Sequence, residues 1–268
     1  MELYKEGSKG AIVKQIQKVV GANPDGVWGP KTTALVKAWQ KSHGLTADGI
    51  VGPVTLAKMG ISENPQATAQ PDGISIIKAT ISTHITRCTG RQPQYIAIHY
   101  TAGSTSRSGQ ALATRNVFLK RKASADFVVD DAQIVQVNPD PRNYYCWAVG
   151  DKFNKWTGGG RLNGKATNRN TISIEICSTL AKGTSAQQPN HSGWSFTPQA
   201  LDNARRLVRH LMREYSIPHE RVIRHYDATG KLCPGIPGWN DGPLNNTDGK
   251  AAGSKSNSVK WQEFWQSI

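Results

Sequence analysis

The chain has 268 residues, room for one large domain or two unequal ones and enough to bury a real core. Its 33 Lys+Arg against 19 Asp+Glu give a net charge of +14, a one-sided excess that favours polyanionic partners. The composition excludes collagen-like and disordered chains, and no run approaches the roughly 18 apolar residues of a membrane span. The four cysteines, Cys88, Cys146, Cys177 and Cys233, are too sparse for a disulfide scaffold and show no C-x-x-C spacing. The opening Met1-Glu2-Leu3-Tyr4-Lys5-Glu6 has neither the basic nor the apolar region of a signal peptide, so synthesis in the cytoplasm without one is expected.

Along the chain, Ile12, Val13, Ile16, Val19 and Val20 come first, at helical spacing. The run Asp25-Gly26-Val27-Trp28-Gly29-Pro30-Lys31-Thr32 then returns as Asp48-Gly49-Ile50-Val51-Gly52-Pro53-Val54-Thr55, an offset of 48 − 25 = 23 residues. In each copy Asp-Gly supplies a turn, and Pro suits a first helical position, where its missing N–H costs nothing. Thr33, Val36 and Gln40 follow one side of a second helix, with Leu35 and Trp39 on an adjoining side. A three-helix module over residues 1–61 is predicted. From Leu3 to Met59 it resembles the peptidoglycan-binding domain found at the ends of many cell-wall hydrolases.

Residues 62–73 (SENPQATAQPDG) are polar, carry two prolines and read as a linker to a second domain over 74–268. There, Tyr95-Ile96-Ala97-Ile98-His99 and Thr171 to Cys177 alternate as strands. Phe127-Val128-Val129 and Ile134 to Val137 predict a hairpin around Asp130-Asp131. Thr197-Pro198 opens a helix with Leu201, Ala204, Leu207, Val208 and Leu211 as its apolar stripe. Trp261, Phe264, Trp265 and Ile268 predict a short C-terminal helix packed into the core. Gly150 to Asn170 and Trp239 to Ser258 read as long surface loops of the kind that rim a site. The fold class is α/β, a mixed central sheet flanked by helices behind the small helical domain.

Because side chains alternate along a strand, His99 faces away from Ile96 and Ile98, and Glu175 away from Ile172, Ile174 and Ile176. If the isoleucine faces share one side of one sheet, His99 and Glu175 emerge together on the other. The segment Arg224 to Gly235 adds His225 and, eight residues on, Cys233. Imidazole and thiolate are both good zinc ligands, and a set of three leaves a fourth position open for chemistry. Taken singly, each has a more usual reading: a hydrogen-bonded histidine, a buried thiol, a solvated or paired glutamate.

Four stretches in order resemble the type-2 N-acetylmuramoyl-L-alanine amidases, a family that includes bacteriophage amidase-type lysozymes and is related to the peptidoglycan recognition proteins. They are Ile98 to Thr101, Trp147 to Gly150, Asn168 to Glu175, and His225-Tyr226-Asp227 through Lys231-Leu232-Cys233-Pro234. The resemblance implies Zn2+ held by His99, His225 and Cys233, with Glu175 catalytic and Lys231 assisting. It departs from the phage lysozymes at Ala125, which stands where they carry a catalytic Tyr, and this puts weight on Glu175. Trp147, Asn168 and Arg169 are candidate substrate contacts, and Lys152, Lys155, Arg161, Lys165 and Arg169 a basic rim facing an anionic wall.

The implied activity is hydrolysis of the amide between N-acetylmuramic acid and L-alanine in peptidoglycan. A monomer is expected, without stable membrane insertion, acting on the wall after release in the manner of an endolysin. The alternative is a peptidoglycan-recognition protein that binds without cutting. Nucleic-acid binding has only the charge in its favour, since there is no zinc-finger spacing and no long basic helix.

Overall fold

The computed structural model describes residues 3–61, 68–69, 74–103, 107–184, 188–243 and 257–268. The chain divides into two compact units, Met1–Ala67 and Thr68–Ile268. Of the predicted linker 62–73, only Thr68 and Ala69 are described, and they form a short strand; its other residues lie outside the described residues.

The first unit holds α1 (Ala11–Val20), α2 (Pro30–Ser42) and α3 (Pro53–Met59). Pro30 and Pro53 open their helices, as the repeat predicts. Val13, Ile16, Trp28, Val36, Val51 and Leu56 fill the core, whereas Val19 lies 40% exposed, outside the stripe assigned to it. The duplication goes deeper than the turn motif. Gln17 Nε2 donates to Asp25 Oδ1 (2.9 Å) and to the Val27 carbonyl (3.0 Å), and its Oε1 accepts from Gly26 N–H (2.8 Å). Twenty-three residues on (40 − 17), Gln40 makes the same three bonds to Asp48, Ile50 and Gly49, each at 2.9 Å. Each buried glutamine thus satisfies the polar groups of one Asp-Gly turn.

The second unit contains β1 (Thr68–Ala69), β2 (Ser75–Lys78), β3 (Ile85–Arg87), β4 (Tyr95–Tyr100), α4 (Gln110–Phe118), β5 (Phe127–Val129), β6 (Ile134–Gln136) and β7 (Tyr144–Cys146). It continues through β8 (Thr171–Ile176), β9 (Thr179–Leu180), β10 (Trp194–Ser195), α5 (Pro198–Tyr215), β11 (Val222–Arg224), α6 (His225–Thr229) and α7 (Val259–Gln266). Seven strands form one sheet in the order β1-β2-β6-β5-β8-β4-β11. The run β5-β8-β4-β11 is parallel, and β5-β6 is the predicted hairpin. The small pairs β3-β7 and β9-β10 stand apart.

The two faces of the sheet differ in kind. Ile96, Ile98, Ile172, Ile174 and Ile176 are fully buried against Ala200, Ala204, Leu207, Val208 and Leu211 of α5 and against Trp261 and Phe264 of α7. The Thr197 hydroxyl caps α5 by accepting from Ala200 N–H (3.2 Å). On the other face Ala97 and Ile223 cluster with Val149, Ala166 and Ala228, and Val128 and Val135 with Phe118 of α4. Of the loop predicted over Trp239 to Ser258, residues 244–256 lie outside the described residues. Gly150 to Asn170 is a loop holding one turn of 3-10 helix at Lys155–Thr157.

Candidate active site

Parallel pairing of β4 with β8 sets His99 beside Glu175, in the register Ile98↔Ile174, His99↔Glu175. Both stand near the carboxyl ends of their strands, where open α/β sheets place their ligand sites. The neighbouring strand β11 ends at Arg224, and His225 follows as the first residue of α6. That junction is held by Asp227, whose carboxylate accepts from the Arg224 backbone N–H (2.9 Å), Nε (2.9 Å) and Nη2 (2.8 Å). Tyr226 N–H donates to the Cys233 carbonyl (2.9 Å), which folds the 230–233 segment back onto α6.

His99, His225 and Cys233 are buried, and each offers a ligand atom within 4.8 Å of the other two. Cys233 Sγ lies 3.7 Å from His99 Nδ1, and the two imidazole centroids are 4.6 Å apart. His99 Nε2, His225 Nδ1 and Glu175 Oε2 are buried without a hydrogen-bond partner. A protein rarely leaves such atoms unsatisfied, and three at one site fit a bound cation. Two imidazoles and a thiol suit a borderline-soft divalent ion.

Burial dominates the electrostatics. It pushes the His225 imidazole down to about 3 and His99 well below its ordinary value, so both rings are neutral at pH 7, as metal ligands must be. Burial raises Glu175 to about 8, with the charges of Lys231 and Arg121 pulling it back. Burial lifts the Cys233 thiol to about 12, again opposed by Lys231. Lys231 itself is exposed, and its charge acts on all four buried groups.

The three candidate substrate contacts lie on one groove of about 670 Å3, lined by Trp147, Asn168 and Arg169 together with Thr86, Tyr145 and Thr229. His99, Glu175, His225 and Cys233 do not line it, but Thr229, which does, shares α6 with His225. Trp147 is 40% exposed, its indole N–H donating to Thr86 Oγ1 (2.9 Å). Of the basic rim, Arg161 is committed to Asp227 (3.2 Å). Lys152, Lys155, Lys165 and Arg169 are exposed. Sequence reasoning passed over Arg91, whose buried guanidinium pairs with Asp126 (3.6 Å) and supports the loop carrying Asn168 and Arg169. An arginine in Thr89-Gly90-Arg91-Gln92-Pro93 gives no sign of burial.

Residues 89–236, which contain His99, His225, Cys233, Glu175 and Lys231, match the family described as N-acetylmuramoyl-L-alanine amidase. The chain belongs to this family. Residues 10–59 match a peptidoglycan binding domain. Among curated amidases, the chain is similar to CwlH of Bacillus subtilis (strain 168), 31% identical over 145 residues, covering 53% of this chain and 47% of the relative. It is also similar to XlyB of the same organism, 45% identical over 141 residues, covering 53% of this chain and 37% of the relative. The chain thus spans about half the length, or less, of these relatives. Among solved structures, that of PlyL is 28% identical with a TM-score of 0.43, covering 60% of this chain and 87% of that one.

Proposed function

We propose that the protein is a zinc-dependent amidase that hydrolyses the bond between N-acetylmuramic acid and L-alanine in peptidoglycan, acting as a phage or prophage endolysin. The observation that carries this reading is the buried His99, His225 and Cys233 cluster with Glu175 beside it, inside the segment matched to the amidase family. His99, His225 and Cys233 would hold the ion. When bound, zinc supplies Lewis-acid polarisation of the scissile carbonyl, activation of water near neutral pH and a positive charge that draws Glu175 toward ionisation.

The chain's own residues do the rest. Glu175 takes the proton of the attacking water and returns it to the leaving amine. Lys231, exposed beside the cluster, stabilises negative charge developing on the carbonyl oxygen. The groove lined by Trp147 and Arg169 receives the substrate, and the rim lysines attract its carboxylates. The N-terminal unit, matched to a peptidoglycan binding domain, holds the enzyme on the wall.

Mass spectrometry of fragments released from purified peptidoglycan tests the reading. Free stem peptides beginning with L-alanine are expected, lost on chelation and restored by zinc. Wall binding without release would assign the chain to recognition instead of cleavage.

A further inference from the structure

The amide of Asn168 does not behave as a free groove contact. Its Oδ1 accepts from three consecutive backbone N–H groups, Ala148 (3.0 Å), Val149 (2.8 Å) and Gly150 (3.2 Å). These bonds draw the 148–150 segment around one oxygen and fix the direction of its carbonyls. The Val149 carbonyl accepts from His225 Nε2 (2.7 Å). A carbonyl can only accept, so in the neutral ring Nε2 carries the proton and Nδ1 carries the lone pair. Nδ1 is the buried atom that nothing in the protein satisfies.

Asn168 is in turn held from beneath. Arg91 Nη2 donates to its carbonyl (3.3 Å), and Arg91 Nε to the carbonyl of Arg169 (2.7 Å). The same guanidinium donates to the carbonyls of Pro141 (2.9 Å), Tyr144 (2.8 Å) and Thr171. Hydrogen bonds therefore link a buried arginine to the Asn168 backbone, the Asn168 side chain to the 148–150 backbone, and the Val149 carbonyl to His225 Nε2, on the far side of the ring from the Nδ1 that faces the candidate metal site.

We infer that Asn168 is a positioning residue for the metal site, acting through the 148–150 backbone and the Val149 carbonyl to hold His225 with Nδ1 aimed at the ion. This reassigns the residue from the substrate contact suggested by its sequence context, and it rests on the zinc reading proposed above. The acceptor oxygen, and not the amide as such, is what the role requires. Aspartate supplies that oxygen to the same three N–H groups; leucine, of similar size, supplies none and strips all three.

The test measures zinc affinity by chelator competition on the full-length protein, together with the visible spectrum of the cobalt-substituted form. Asn168→Leu is expected to bind zinc about 10–100-fold more weakly, the usual effect of losing support behind a metal-bound histidine. Its cobalt spectrum is expected to change. Asn168→Asp is expected to keep the wild-type affinity and spectrum. Far-UV circular dichroism checks that each variant is folded; if Asn168→Leu is not, Asn168→Ser, whose hydroxyl is too short to reach all three donors, is read in its place. Unchanged zinc affinity in the variant lacking the acceptor would overturn the inference. So would an aspartate variant as impaired as the leucine one. Failure of the wild-type protein to take up zinc would instead overturn the metal reading itself.

Discussion

Cys233 and Glu175 sit at the same site, and the proposed function gives them separable roles, one as a ligand and the other as a proton carrier. The Cys233 sulfur lies 3.7 Å from His99 Nδ1 and is the softest donor of the cluster. Cys233→Ser is therefore expected to lose zinc and activity together, as read by metal analysis of the purified variant; a full equivalent of retained metal would remove Cys233 from the ligand set. Glu175 holds its unpartnered Oε2 beside the cluster but is not needed to complete it. Glu175→Ala is expected to keep its zinc while turnover falls by about 10²–10⁴, the usual worth of a general base. Single-turnover rates on peptidoglycan, measured beside metal content, separate the two cases.

The duplicated turns make predictions at the scale of the element. In each, the aspartate accepts from the backbone N–H two residues on, Val27 for Asp25 and Ile50 for Asp48, and from the glutamine of the preceding helix. Those bonds, the backbone one first, hold both carboxyls below their ordinary value of 3.8. A depressed carboxyl contributes stability that is present above its unfolded pKa and lost as pH falls through the folded one. The first unit is thus expected to loosen below pH 3.8, and Asp25→Asn with Asp48→Asn to flatten that dependence. An NMR titration of the carboxyls and of the Gly26 and Gly49 amides in the full-length protein reads both effects. Beside the active site, Gly230 has a φ of +79°, and a Cβ there would fall 2.3 Å from the Asn154 carbonyl oxygen. Gly230→Ala is expected to cost more than about 1 kcal/mol and to release the Asn154–Thr157 turn from the end of α6, seen as a lower Tm and faster amide exchange there. The sequence made some elements plain and hid others for physical reasons. Ile96, Ile98, Ile172, Ile174 and Ile176 announce their strands because alternation repeats often enough to be read. The two- and three-residue strands of β3, β7, β9 and β10 are too short to show a period. His99 and Glu175 were legible as a pair because strand alternation put both on one face. The Val149 acceptor was not, because a carbonyl belongs to every residue type and leaves no mark on the sequence.

At the scale of the whole molecule, the second unit divides its labour between the faces of its sheet. One face carries α5 and α7; the other carries the polar site beside a second apolar cluster, in which Phe118 of α4 packs with Val128 and Val135. This arrangement separates stability from chemistry, so truncations on the α5 face should reach the active site through loss of fold and not through altered metal binding. Leu207→Ala, at a fully buried position, is expected to cost about 2–5 kcal/mol while the folded fraction keeps its zinc, as thermal unfolding and metal analysis would report. Among the described residues no helix is long and apolar enough to cross a membrane. The helix α7 carries a further consequence. The recognisable amidase stretch closes at residue 236, yet Trp261 and Phe264 lie in the core beneath that stretch, Trp265 Nε1 donates to the Val222 carbonyl (3.2 Å), and Ser258 accepts from Arg224 (2.7 Å). What evolution marks as the catalytic module is therefore smaller than what folds as one. Trimming the chain at residue 236 is therefore expected to lower its Tm while every candidate site residue stays in place.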